Sequence, residues 1–291
     1  MITLEINSKA IEVEEGTTVL EAAKKMNIKI PTLCHMDLHD IRFMNKHASC
    51  RVCLVEQEDS GKLIPACATF VKDGMKIKTE TARAVKARRT MVELLLSDHP
   101  NSCLTCARNL DCELQKLASD LGVRSIKYQG EQSTYEIDDN SHSIVRDANK
   151  CILCKRCETM CNEIQTVGAL TDVGRGFNTY VGSAFNDAMY ETTCTFCGQC
   201  LAVCPTGALT EVNNTPQVWD VLHSDKTVIV QVAPAVRVAL GEEFGMEPGT
   251  IVTGKMINAL KYLGFDKVFD TNFAADLTIM EEASEFVHRL N

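Results

Sequence analysis

Two runs of cysteine dominate the middle of the chain. Cys151, Cys154, Cys157 and Cys161 follow C-x2-C-x2-C-x3-C, and Cys194, Cys197, Cys200 and Cys204 repeat that spacing, with Pro205 after the last. Thiolates bind soft metals, and dense thiolate sets select zinc, copper(I) or iron–sulfur clusters. Structural zinc takes its four ligands from paired C-x2-C knuckles, which leaves the third cysteine of each triplet unexplained. Three thiolates at i, i+3 and i+6 on a turning loop can each reach a different iron of one cubane. The chain has fifteen cysteines, an odd number and too many for packing alone. Disulfides are disfavoured in a reducing compartment, so the pattern reads as metal ligation.

The tandem resembles a two-cluster bacterial ferredoxin unit. There the fourth cysteine of each run sits on a short helix leading away from its own loop and reaches the other cluster. This assigns Cys151, Cys154, Cys157 and Cys204 to one [4Fe–4S] cluster, and Cys194, Cys197, Cys200 and Cys161 to a second. Asn162 follows Cys161 where the pattern has proline. That alters the local turn more than the ligand count.

Two sparser sets lie upstream. Cys34, Cys50, Cys53 and Cys67 have a C-x2-C core with a single cysteine on either side. Before them, Thr3 to Ile6 and Ala10 to Val13 alternate like two strands turning at Asn7-Ser8. Thr18-x-x-Glu21 is a capping box opening a helix through about Met26. This order resembles the β-grasp fold of plant-type [2Fe–2S] ferredoxins. The cysteine spacing is similar to the [2Fe–2S] domain of the large electron-input subunit of complex I and of multi-cluster [FeFe]-hydrogenases. Four thiolates complete such a site, so His35, His39 and His47, which crowd the loop, are read as surface residues or neighbours of the ligands. The next set, His99, Cys103, Cys106 and Cys112, follows an amphipathic helix from about Thr81 to Leu96. Taken alone, Cys3His is also a structural zinc set. The resemblance implies instead a [4Fe–4S] cluster with one histidine ligand. The four sets use every cysteine.

Beyond about Asn213 the texture changes to α/β. Strand-like runs at Thr227 to Val232 and Lys267 to Asp270 alternate with helical periods at Pro234 to Phe244, Thr253 to Leu263 and Asn272 to Leu290. The stretches VIVQVAPAVRVALGEEFG and LGFDKVFDTNFAADLTIMEEASEFVHRL resemble the opening of the [FeFe]-hydrogenase catalytic domain. That family holds its active-site cluster on four cysteines farther downstream, and here no cysteine follows Cys204. The expectation is that this chain alone neither makes nor splits hydrogen, and that the segment is a structural or docking module. Gly249 to Met256, GTIVTGKM, approaches the phosphate-binding G-x-x-x-x-G-K-[ST]. Met256 cannot replace the magnesium-binding hydroxyl, however, and the residues before it do not read as a buried strand. There is no G-x-G-x-x-G for a dinucleotide, and Gly174-Arg175-Gly176 reads as a turn.

The expected fold is α+β and multidomain. It comprises a β-grasp [2Fe–2S] domain (1–79), a helical His/Cys3 [4Fe–4S] domain (80–119), a linker (120–140), a bacterial 2[4Fe–4S] ferredoxin domain (141–213) and a truncated α/β hydrogenase-like segment (214–291). The formal net charge of −9 argues against nucleic acid. No apolar run approaches the roughly 20 residues that span a bilayer, and no signal segment opens the chain, so the expected location is the cytoplasm. Arg83, Lys86, Arg88 and Arg89 form a basic run, read as a solvated face or docking patch. The resemblance implies an electron-transfer subunit with one [2Fe–2S] and three [4Fe–4S] clusters and no catalytic site of its own. Its partners would be a flavin- and NAD-binding subunit, a small [2Fe–2S] subunit and ferredoxin, as in an electron-bifurcating NADH/NADPH/ferredoxin transhydrogenase. The alternative is the front part of an [FeFe]-hydrogenase.

Overall fold

The computed structural model describes residues 1–38, 41, 43–45 and 48–291. It divides into two units, Met1–Val212 and Asn213–Asn291.

Unit one opens with β1 (Ile2–Ile6) and β2 (Lys9–Val13), paired antiparallel from Ile2 opposite Val13 to Ile6 opposite Lys9. Asn7 and Ser8 both take positive φ, 51° and 67°, as a two-residue hairpin turn matched to strand twist requires. Helix α1 (Val19–Lys25) follows, capped by Thr18 and Glu21 in the reciprocal arrangement the sequence implies. Thr18→Ala is expected to lower stability by about 1 kcal/mol, read as a shift in the urea midpoint. Short β3 (Asp37–Leu38) and β4 (Phe43–Met44) pair within the first cysteine loop.

Strands β5 (Leu54–Gln57), β6 (Lys62–Pro65) and β7 (Lys76–Lys78) complete a five-stranded sheet in the order β2-β1-β7-β5-β6. Only β1 and β7 run parallel, and α1 lies over one face. Leu4, Ile6, Val13, Val19, Val55 and Ile77 fill the core between them, each at most 1% exposed.

Helix α2 (Ala82–Ser97), capped by Thr81, and α3 (Glu113–Asp120) flank the second cysteine region. Arg83, Lys86 and Arg89 of the basic run are exposed, as a solvated face requires, whereas Arg88 departs from that reading. Arg88 is buried against carbonyls, Arg89 donates to the Leu121 carbonyl, and Arg83 donates to that of Gly61. Guanidinium groups are strong donors to otherwise unpaired loop carbonyls, which a charge count along the chain does not register.

Strands β8 (Ile144–Arg146) and β11 (Leu209–Glu211) pair antiparallel around the tandem cysteine loops. Between them, α4 (Arg156–Thr159) runs into a wide turn at Met160–Ile164 that carries Cys161. Then β9 (Thr171–Val173) pairs with β10 (Tyr180–Gly182), and α5 (Gln199–Ala202) leads to Cys204.

Unit two contains α6 (Thr215–Leu222), β12 (Ile229–Val232), α7 (Val236–Glu243), α8 (Thr253–Tyr262), β13 (Lys267–Asp270) and α9 (Thr271–Leu290). The two strands run parallel, with α7 and α8 in the connection between them. Gly249 precedes a loop and not a strand-to-helix phosphate turn, as the sequence suggests. Val252, Met256 and Gly241 are its only buried residues among those described, and none of α9 is buried.

Candidate metal centres

The four sulfurs of Cys34, Cys50, Cys53 and Cys67 come together beside the five-stranded sheet, although the sequence spreads them over more than thirty residues. Cys53 and Cys67 Sγ are 3.4 Å apart. Two thiolates on one tetrahedral ion stand about 3.8 Å apart when metal–sulfur bonds are about 2.3 Å, so the pair is close to ligating separation. Hydrogen bonds from Cys50 and Cys67 favour the Cys34 thiolate, and a bond from Cys67 holds Cys53 down at about 7. Asn45, buried in the same loop, ties it from inside. Its Oδ1 accepts from Met36 N–H at 2.6 Å, and its Nδ2 donates to the Cys34 carbonyl at 2.7 Å. His35 sits beside this set, and its Nδ1 has no hydrogen-bond partner among the described residues. His39 and His47 lie outside the described residues.

His99, Cys103, Cys106 and Cys112 line one cavity of about 320 Å3. His99 is buried at the end of α2, and its Nδ1 has no hydrogen-bond partner among the described residues. A buried imidazole lining the same cavity as three thiols is what a fourth ligand position requires. Burial lowers the His99 pKa and keeps the ring neutral, the form that binds metal.

The tandem loops fold as two copies of one turn. Leu153 and Lys155 in the first, and Phe196 and Gly198 in the second, take left-handed φ of 53°, 61°, 53° and 76°. For the three non-glycine residues this costs on the order of 1 kcal/mol each, strain that recurs where a backbone must wrap a bound group. In each copy an amide donates to the first sulfur: Leu153 N–H to Cys151 and Phe196 N–H to Cys194, both at 3.4 Å.

The fourth cysteines cross over. Cys204 lines a cavity of about 460 Å3 with Cys151, Cys154 and Cys157. Cys161 lines another, of about 330 Å3, with Cys194, Cys197 and Cys200. Both have mainly apolar walls. Burial pushes the Cys151 thiol up to about 11 and those of Cys154 and Cys200 up to about 12. These thiols keep their protons in such a pocket unless a cation replaces them, as iron would. Among the described residues no three His, Cys, Asp or Glu groups converge on a point suited to a single ion.

The first three sets share walls. Leu33, Cys34, Cys50 and Val52 pack with Val92 and Leu114, and with Ile152 and Cys154, in one apolar core. The Arg156 guanidinium donates to both carboxylate oxygens of Glu113, at 2.6 and 3.0 Å, joining α4 to α3. Cys112 Sγ lies 3.6 Å from the Pro205 carbonyl oxygen, to which Glu113 N–H also donates. Arg108 donates to the Cys204 carbonyl. Gly207 passes so near Cys106 that a Cβ there would sit 2.8 Å from its sulfur. Cysteine spacing gives no sign of Asn45, Glu113, Arg156 or Gly207. Glycine three residues after the last cysteine is the one available hint, since glycine marks close backbone approach.

Family models match along the chain. Residues 1–82 match a 2Fe-2S iron–sulfur cluster binding domain, and 88–127 the NADH-ubiquinone oxidoreductase-G iron–sulfur binding region. Residues 141–210 match the ferredoxin-like domain of NADH-quinone oxidoreductase subunit 3, and 226–291 the C-terminal domain of the iron-only hydrogenase large subunit. The chain is 55% identical over its whole length to the NADP-reducing hydrogenase subunit HndD of Solidesulfovibrio fructosivorans, covering 50% of that protein. It is 37% identical to iron hydrogenase 1 of Clostridium pasteurianum, again covering 50%. The chain thus spans about half the length of these curated relatives. Over 72% of the chain, identity is 34% to the NADH-ubiquinone oxidoreductase 75 kDa subunit of Reclinomonas americana, 29% of which is covered. A chain of the crystal structure of an NAD+-reducing [NiFe]-hydrogenase in the H2-reduced state superposes with a TM-score of 0.65 at 27% identity. That match covers 72% of this chain and 87% of the other.

Proposed function

Because this chain is an iron–sulfur region of the type found at the N-terminal end of hydrogenases and complex I-like large subunits, we propose that it is the electron-transfer subunit of a cytoplasmic, multi-subunit oxidoreductase. The proposed ligands are Cys34, Cys50, Cys53 and Cys67 for one [2Fe–2S] cluster. His99, Cys103, Cys106 and Cys112 would hold the first [4Fe–4S] cluster, with the two crossed sets, each including the other loop's fourth cysteine, holding the second and third. When bound, such clusters supply one-electron relays, with potentials set by burial and nearby charge.

The observation that carries the reading is the shared wall around Cys154 and Cys204. The Cys34 loop reaches it through the apolar core, and the His99 set reaches it through Pro205. Cys157 in turn shares one apolar core with Cys200 of the last set. On this reading the Cys34 set and the His99 set both adjoin the set of Cys151, Cys154, Cys157 and Cys204, so electrons would enter that set from either neighbour and leave by the last set. Two inputs suit partners of two kinds: a flavin- and NAD-binding subunit and a small [2Fe–2S] subunit. On this reading the complex is an electron-bifurcating NADH/NADPH/ferredoxin transhydrogenase, with flavin and nucleotide held by the partners. The match of 226–291 to a hydrogenase C-terminal domain favours a second reading, in which these residues open a full [FeFe]-hydrogenase.

Intact-mass analysis of the complex isolated anaerobically from its source separates the two. A subunit of this mass travelling with a flavoprotein and a small [2Fe–2S] subunit is the expected result. A longer polypeptide that evolves hydrogen would replace the first reading with the second.

A further inference from the structure

Arg88 breaks the ordinary packing rule for charge. It occupies the inward stripe of α2 between Ala84 and Val92, one turn from each, and is 4% exposed. Its Nε donates to the Leu54 carbonyl at 2.8 Å, and its Nη2 to the Thr79 carbonyl at 2.7 Å. Both acceptors are neutral. Arg156 offers the contrast, because its fork meets the Glu113 carboxylate. Among the described residues Arg88 forms no ion pair with a carboxylate. Burial lowers the Arg88 pKa, and the charges that counter it are those of Cys53 and then Glu80.

A guanidinium buried without an opposite charge is strongly unfavourable, and its usual resolution is a paired anion. The Leu54 carbonyl that Arg88 holds belongs to the residue directly after Cys53, which anchors the buried charge one residue from the first thiol set. Four thiolates and two sulfides around two ferric irons leave a net charge of about −2, and one added electron makes it about −3. A fixed positive charge beside that group favours the more negative, reduced form. Because the arginine is locked to two carbonyls, it supplies this charge without having to reorganise when the electron arrives.

We infer that Arg88 is the built-in counter-charge of the [2Fe–2S] site: a positioning residue on a helix of the neighbouring cysteine region that raises this cluster's reduction potential. The inference rests on the ligand set proposed above.

The test is an EPR-monitored redox titration of the anaerobically reconstituted full chain, comparing wild type with Arg88→Met and Arg88→Lys. In Arg88→Met the reduction equilibrium of the [2Fe–2S] signal should fall about tenfold, which is about 59 mV more negative for one electron. The [4Fe–4S] signals should stay in place, and Arg88→Lys, which keeps the charge, should recover most of the shift. A [2Fe–2S] potential that Arg88→Met leaves unmoved overturns the inference, as does an equal shift of all four signals. Should Arg88→Met fail to take up iron, Arg88→Gln decides in the same way, since it keeps a donor for the carbonyls and loses only the charge. Absence of any [2Fe–2S] signal in wild type would instead overturn the ligand assignment itself.

Discussion

Cys204→Ser is expected to remove the [4Fe–4S] cluster of Cys151, Cys154 and Cys157, and to spare that of its own loop neighbours. The reduced protein should lose one EPR component and about four irons per chain. The crossing makes a second, sharper demand. Cys204→Ser combined with Cys157→Ser should cost no more iron than either change alone, because both strike one site. Cys204→Ser combined with Cys200→Ser should cost about twice as much, because the two strike different sites. If Cys200 and Cys204 prove to be the pair that fails to add, the crossed ligation is wrong. The physical ground is the geometry of α5, which carries Cys204 off its own loop and into the wall shared with Cys151, Cys154 and Cys157.

Gly207→Ala is expected to eject the histidine-containing cluster alone. The new methyl would sit 2.8 Å from Cys106 Sγ, and 3.4 Å from Lys150 Cδ on another side. Gly207 is not among the glycines with positive φ, so alanine brings no backbone strain and the effect is purely one of space. A free thiol can rotate away from such a methyl, whereas a sulfur fixed to iron cannot. The loss should therefore appear as one missing [4Fe–4S] signal in a chain that still folds and still holds the other three. Full iron content and an unaltered spectrum would show that Cys106 does not ligate in the position described.

Much of this is legible in the sequence, and the limits of that legibility have a consistent cause. The Asn7-Ser8 turn, the Thr18 capping box and the helix expected from about Thr81 to Leu96 rest on interactions within a few residues, and they fold as their local chemistry dictates. The cysteine sets are visible as spacings, and each gathers around one place. What the spacing does not carry is the contact between sets. Glu113 looks like any first-turn acid of a helix, and Arg156 looks like a filler between two cysteines. They meet across 43 positions of chain. Charge alone places Arg88 at the surface, because a linear pattern cannot tell an arginine that faces water from one that faces a carbonyl. The walls shared between sets are hidden for the same reason, since order along a chain says little about which sets adjoin.

The apolar core of Leu33, Cys34, Val52, Val92, Leu114 and Ile152 bears on how such a chain can be dissected or recombined. The family models meet between residues 82 and 88, which marks a seam in sequence. Physically, the first cysteine loop is buried against side chains from both later regions. A β-grasp piece cut out at that seam would expose Leu33 and Val52, each now 0% exposed, together with the sulfurs beside them. Its cluster would then face water and oxidants from which the neighbouring regions now shield it. Grafting this piece onto another protein therefore requires a substitute for that wall as well as the four cysteines.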